Sequence, residues 1–373
     1  MVWFGLLSVA IWIVLLCFRG GFWRFRIASR VSGKVAATVA AVVPARNESE
    51  VIASSVGSLV KQDYPGKLRV FVVDDHSTDG TAEEASRVSD PSVVRVVEAR
   101  PLPQGWTGKL WAVSEGVGAA ESFGADYYWL TDADIAHAPG ELAGLVARAE
   151  EGRYDLVSYM AKLRCESLAE RVMIPAFVFF FFKLYPPAWV NKPSRHTAAA
   201  AGGCMLIRSE ALRRIGGIAA IRGALIDDCT LAAAIKGIGG RIWLGLTDEA
   251  DSLRSYGSFA SVWRMVSRSA FAQLRYSSFL LLGTLAGMFV IYLAPVILTF
   301  AGEGAARALG ILAWLAMTIA YLPAVRFYGL SPPWAPLLPL AGLFYTCATI
   351  DSAVRYWMGV GGTWKGRVQA QKG

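Results

Sequence analysis

The sequence predicts an α/β domain with transmembrane helices at both ends, and three observations support this. First, 54% of the 373 residues are hydrophobic and only 18% are charged, whereas soluble domains run nearer to about 45–50% and about 25%. Second, the long uncharged runs gather at the two termini. Third, from residue 38 to 256 short β-branched runs alternate with helical segments, the pattern of a parallel sheet covered by helices on both faces. A wholly soluble chain is excluded on this composition. So are a disordered one, which needs low hydrophobicity, and a pure helical bundle, because charges and turn signals crowd the middle.

The N-terminal run VWFGLLSVAIWIVLLCF (2–18) carries no charge, and Arg19, Arg24, Arg26, Arg30 and Lys34 follow it. A secretory leader carries its basic residues before the apolar run, so this segment reads as a retained anchor, domain 1–37. The positive-inside rule then places residues 38–256 in the cytoplasm. Three further apolar stretches, 278–300, 305–325 and 333–350, close the chain within a third unit, 257–373. One anchor plus three crossings would leave the basic tail (Arg355, Lys365, Arg367, Lys372) on the far side, so one stretch is expected to be re-entrant or the count to be off by one. The run 172–190 holds Pro175, Lys183 and Pro186–Pro187. These suit a segment lying in the membrane interface better than a crossing.

Within the middle unit, 38–45 reads as a buried strand followed by a helix from about 49 to 61. Residues 68–75 form a second strand with a helix opening at 77–81, and 93–99 and 125–134 form a third and a fourth. Polar clusters sit where these strands end: Pro44, Arg46, Asn47 and Glu48; Asp74 to Gly80; and Asp132-Ala133-Asp134. Ligands of such folds bind outside the carboxyl ends of the strands. One acidic turn commonly caps a helix; three at separate strand ends indicate a site.

Asp132 and Asp134 offer hard oxygen ligands for magnesium or manganese, which complete their shells with phosphate oxygens and water. No G-x-x-x-x-G-K-[ST] loop is present, nor a G-x-G-x-x-G after the first strand. Phosphates would instead be held by the metal and by Lys109, set between Trp106 and Trp111. Five scattered cysteines without a Cys-x-x-Cys pair argue against a disulfide framework and a zinc knuckle. The net charge of +8 suits anionic lipid or diphosphate. Nucleic acid is not expected, because the basic residues lie beside apolar spans.

VVPARNES, VVDDHSTDGTAEEA, LTDAD and LIDDCTLAAAIKGIGGRIWL resemble, in order and spacing, the motifs of family 2 glycosyltransferases. The resemblance implies a GT-A fold, a nucleotide-diphosphate sugar (a UDP-linked donor is the expectation) and a divalent metal. Carried onto this chain, Asp75 would contact the nucleotide base, and Asp132 and Asp134 would hold the metal and diphosphate. Asp228, beside Asp227, would be the general base, with N-capping the alternative for either. Gly202-Gly203 resembles the family's glycine turn beside the acceptor, with Gly203 the substrate contact. His76, His137 and His196 flank these motifs, as structural residues or as substrate contacts.

The family's Gln-x-x-Arg-Trp motif is incomplete. Arg268 aligns with its arginine, but Met265 and Ser269 stand at the Gln and Trp positions. Arg264, Arg268, Gln273 and Arg275 remain possible diphosphate donors. PLPQGWTGKLWA, LTDADIAHAP, RHTAAAAGGCMLIRSEALRRIGG and WKGR (364–367) resemble the hopene-associated glycosyltransferases. The expectation is an inverting, multi-pass enzyme of the bacterial inner membrane that transfers a sugar to a lipid acceptor in hopanoid biosynthesis. A polyprenyl-phosphate sugar transferase and a non-catalytic membrane scaffold are the alternatives.

Overall fold

The computed structural model describes residues 1–31, 33, 36–361, 363–364 and 367–368. Eight strands form one sheet: β1 (Val39–Ala45), β2 (Leu68–Asp74), β3 (Val94–Glu98), β4 (Tyr127–Leu130), β5 (Ile135–His137), β6 (Leu156–Lys162), β7 (Met205–Arg208) and β8 (Ile242–Ser252). Their order is β3-β2-β1-β4-β7-β6-β8-β5. The first four are mutually parallel, as the alternating pattern predicts. Beyond β4 the sheet is mixed, a correction to the all-parallel reading. β7 runs antiparallel to both β4 and β6, and β5 antiparallel to β8. The fourth strand also ends at Leu130 rather than at 134, because the acidic pair turns the chain back into β5.

Every residue of β1 is buried, as expected for a strand covered on both faces. The helix Gly108–Ala119 lies directly on β1 and β2. A Cβ at Gly116 would stand 2.4 Å from Val42 Cγ1 and 2.8 Å from Val73 Cγ2, so only glycine permits this approach. Thr107 Oγ1 caps the same helix by accepting from the Leu110 N–H. Its first turn, which carries Lys109, is thereby pinned over the strand ends.

Among the described residues, four helices are long and apolar enough to cross a membrane: Leu168–Val190, Ser278–Ala301, Gly304–Phe327 and Pro332–Trp357. Val2–Phe18 is apolar but shorter, at 17 residues. Pro295 has no N–H to give the Ile291 carbonyl four residues back, and a π-helical turn, Phe289–Leu293, precedes it. The N-terminal helix makes good the deficit. Trp12 Nε1 donates to the Ile291 carbonyl at 3.0 Å, and Ser8 Oγ to that of Val290 at 2.6 Å. This is how an apolar environment tolerates an interior proline.

The segment around 172–190 is one helix, Leu168–Leu184, plus a short Pro187–Val190 turn. It packs against the Gly304–Phe327 and Pro332–Trp357 segments through Phe179 on Tyr321 and Phe180 on Tyr345. Lys183 is satisfied there, donating to Tyr292 Oη at 2.7 Å. The strands before and after this helix, β6 and β7, are hydrogen-bonded neighbours in one sheet. The chain therefore leaves the domain and returns on the same side. The short strands Thr363–Trp364 and Arg367–Val368 pair antiparallel; Lys365 and Gly366 of the WKGR motif, with Lys34 and Lys372, lie outside the described residues.

Candidate active site

A cavity of about 550 Å³ opens at the carboxyl ends of β1 and β4. Pro44 and Glu48 reach it from the end of β1, Asp132 and Asp134 from the turn after β4, and Lys109 and Asp227 from the first turns of two helices. Arg254 enters from just beyond β8. The amphipathic helix Phe259–Ser267, with its capping Arg268, forms the remaining wall and contributes Arg264.

The charges in this cavity are interlocked across the chain. Lys109 Nζ lies 2.8 Å from Asp132 Oδ1 and 3.0 Å from Asp227 Oδ2. Arg254 donates through Nε to Asp134 Oδ2 at 2.5 Å and through its terminal nitrogen to Glu48 Oε1 at 2.6 Å. Burial opposes the charge on Lys109, but Asp132 and Asp227 outweigh it and hold the ammonium firmly protonated. Burial likewise opposes ionisation of Asp132, and Lys109 overcomes it, leaving the carboxyl below its ordinary range.

Asp228 behaves differently. Burial, and then the negative charge of Asp227, push its pKa up to about 6, against the pull of Lys109 and of two backbone amides. Those amides belong to Cys229 at 2.6 Å and Gly202 at 2.9 Å. The N-cap position of this helix is Ile226, so Asp228 does not cap it. A Cβ at Gly202 would stand 3.3 Å from Lys109 Nζ, 3.5 Å from Asp228 Oδ2 and 3.8 Å from Asp132 Oδ2. Lys109, the base candidate Asp228 and Asp132 thus converge on a cradle at Gly202; Lys109 and Asp132 also line the cavity, whereas Asp228 and Gly202 do not. Two carboxylates of the Asp-x-Asp turn beside that cradle are a donor set that suits magnesium or manganese with a diphosphate.

Other predicted residues fall elsewhere. Asp75 is buried at the end of β2 and forms an ion pair with Arg46 at 3.5 Å; Arg46 also donates to the Asp75 carbonyl. Neither lines the main cavity. Asp79 accepts from the Ser49 and Thr81 amides at 3.0 and 3.1 Å and from the Thr81 hydroxyl at 2.5 Å. Although burial opposes it, those hydrogen bonds lower its pKa to about 2. Gly202, not Gly203, faces the site. Gly203 packs against Ile135 and gives its carbonyl to Thr131 Oγ1 at 2.8 Å. Gln273 donates to Tyr185 Oη at 2.5 Å, and Arg275 is an exposed turn residue with φ +51°. Neither lines the cavity, whereas Arg268 does.

Of the histidines, His137 is buried between Glu141, at 2.7 Å, and Thr131, at 2.8 Å. His137, Glu141 and Cys204 lie close enough together to hold a metal, but in the core rather than in the cavity. The chain Glu141–His137–Thr131–Gly203 braces both the strand end before Asp132 and the glycine turn that contacts Asp228. His76 lies 3.7 Å from Glu98, and His196 is exposed. Arg254 was not foreseen. It is an isolated arginine after a strand, and its partner Asp134 is 120 residues away, so no local pattern marks it.

The mixed sheet, with an Asp-x-Asp turn at the end of its fourth strand facing a lysine and a second acidic pair, has a fold of the GT-A type. In agreement, residues 40–216 match the family model described as Glycosyl transferase family 2. Over 134 residues, 35% of this chain, the sequence is 31% identical to the undecaprenyl-phosphate 4-deoxy-4-formamido-L-arabinose transferase of Proteus mirabilis (strain HI4320). The match spans 38% of that relative's length. Among solved structures, the mannosyltransferase PcManGT from Pyrobaculum calidifontis, in complex with GDP-Man and Mn2+, superposes with a TM-score of 0.54 at 20% identity. That similarity of fold covers 93% of this chain and 98% of the other.

Proposed function

We propose that this protein transfers a sugar from a nucleotide-diphosphate donor to a lipid acceptor at the membrane surface. The observation that carries the proposal is the convergence of Asp132, Lys109 and Asp228 on Gly202, beside a cavity that Asp132 and Lys109 line and that a helix packed on the apolar bundle walls. Trp263 of that helix donates to Asp351 Oδ2 of the last apolar segment at 2.8 Å.

Asp132 and Asp134 would hold the divalent ion, magnesium or manganese, which offsets charge on the departing diphosphate. Lys109, Arg264 and Arg268 supply further donors to the phosphate oxygens. Asp228, held in place by the Gly202 and Cys229 amides, takes the proton of the acceptor hydroxyl as it attacks the anomeric carbon, a step worth about 10²–10⁴-fold. Direct displacement inverts that carbon. Because β6 and β7 pair across the Leu168–Leu184 helix, that helix does not carry the chain to the other side. This supports reading it as embedded in one leaflet, interfacial rather than spanning, with the acceptor approaching Asp228 laterally. The basic flank after the first apolar helix supports a cytoplasmic domain, here at the bacterial inner membrane. The hopanoid assignment rests on the sequence resemblance, as does a UDP-linked donor.

Turnover of radiolabelled sugar nucleotides with membrane lipid extracts tests the proposal, with Asp228→Asn as the comparison. Equal rates for the two proteins refute the base assignment. Lipid mass spectrometry of a deletion strain tests the hopanoid link. One observation favours a second reading, transfer to a polyprenyl phosphate. Among the described residues Arg264 and Arg268 make no ion pair and both line the cavity, so they are free to hold an acceptor phosphate. The relative from Proteus mirabilis is named for an undecaprenyl-phosphate acceptor. A product labile to mild acid supports this second reading, and a stable glycoside supports the first.

A further inference from the structure

We propose that a groove far along the chain from the catalytic residues, between the N-terminal flank and the end of the Leu168–Leu184 helix, binds the headgroup of an anionic phospholipid. The groove encloses about 330 Å³, and its walls include Arg24, Arg26, Phe25, Phe182, Asn191 and Trp243. It therefore joins two guanidinium groups to aromatic rings, which complement the anionic phosphate and the apolar chains that a phospholipid presents at the glycerol level.

Charge decides the sign of the ligand. No Asp or Glu occurs between Arg19 and Asn47, or between Arg171 and Arg208, the two stretches that supply most of the groove. Among the described residues the N-terminal flank makes a single ion pair, Arg30 to Glu249 at 2.6 Å, which leaves Arg24 and Arg26 without a carboxylate. At the rim, the Arg19 and Arg195 guanidinium carbons lie 4.7 and 5.2 Å from the ring of Trp189. Guanidinium and indole groups at the ends of apolar helices are placed where a bilayer's headgroups lie.

The backbone is shaped to make this groove. Gly20 and Gly21 take φ of +65° and +62°, and Phe25 takes +45°, a costly conformation for a bulky residue. This tight reversal returns the flank across the end of the neighbouring helix. Arg19 fastens it by donating to the carbonyls of Lys183 and Leu184 at 3.0 and 3.3 Å. The strained turn and that latch make the groove a built feature, with both arginines on its lining rather than dispersed on a tail.

The test uses the full-length protein in detergent and native mass spectrometry with three probes: phosphatidylglycerol, phosphatidylcholine and inorganic phosphate. Phosphatidylglycerol is expected to bind with a preference of about tenfold or more over phosphatidylcholine, and phosphate alone not to displace it. Arg24→Gln combined with Arg26→Gln should abolish that preference, while the charge-preserving pair Arg24→Lys and Arg26→Lys should keep most of it. Equal binding of the two lipids overturns the proposal. So does displacement by phosphate, which would mark a site for soluble anions, or loss of the preference in the lysine pair, which would mark a fold defect rather than a headgroup contact.

Discussion

The turns after β2 and after β4 are both rich in aspartate, yet Asp74 and Asp79 in the first and the Asp-x-Asp pair in the second are used in opposite ways. After β2, Asp79 spends its oxygens on backbone amides and a hydroxyl of adjacent turns, and Asp74 accepts from the Ser77 amide three residues on. After β4, Asp132 and Asp134 meet Lys109 and Arg254, side chains brought from distant segments. The comparison teaches how to separate architecture from chemistry. A carboxylate that accepts from nearby amides holds a turn. One balanced by a distant cation can exchange that partner for a ligand.

The largest expected effect tests the chemical side of this contrast. Asp228→Asn keeps the shape of the side chain and removes its basicity, so turnover should fall by about 10²–10⁴-fold with donor binding preserved. Single-turnover kinetics beside donor titration by calorimetry distinguishes this from a general loss of structure. The next effect is on pH. Asp228 must be ionised to accept a proton and its pKa is raised to about 6, so kcat/KM should be flat above that pH and decline by about tenfold per unit below it. A profile still flat at pH 5 would exclude Asp228 as the base.

Gly202→Ala should weaken donor binding by roughly tenfold or more, since the added methyl enters the space between Lys109 and Asp228 and overpacking is costly. Gly118→Ala, at a position with open space around it, should leave binding unchanged. The smallest effect is on the architectural side. Asp79→Ala should reduce stability by about 0.5–1 kcal/mol through lost hydrogen bonds at an exposed turn. Because the folded pKa of Asp79 is lowered to about 2, its contribution is present above the unfolded value near 4 and is lost as pH falls toward 2. Thermal unfolding should show the difference shrinking across that interval, while donor affinity at neutral pH stays the same.

Much of the sheet was legible in the sequence because a strand buried on both faces must be continuously apolar, and β1, β4 and residues 70–73 of β2 are. The strand-end clusters were legible for the same reason, since polarity begins abruptly where the apolar strand runs end. The antiparallel β7 was not. Met205–Arg208 is four residues long, and its direction is set by pairing with strands far away in sequence. Gly202 and Gly203 are adjacent and identical, so only the backbone's orientation shows which of them faces the site. The proline-interrupted Ser278–Ala301 segment was read as a helix from its hydropathy, but the indole that repairs it comes from the other end of the chain.

The Leu168–Leu184 excursion has a consequence for reach. On the proposed reading, the apolar segments before the sheet, between its strands and after it would fasten the domain to the lipid phase at three points, like a stool on three legs. Its height and tilt would then be fixed, and so would the distance from Asp228 to the bilayer. Removing the first helix would then not set the domain free. An acceptor would be chosen partly by depth, by whether its reactive oxygen lies at the level that this rigid mounting presents.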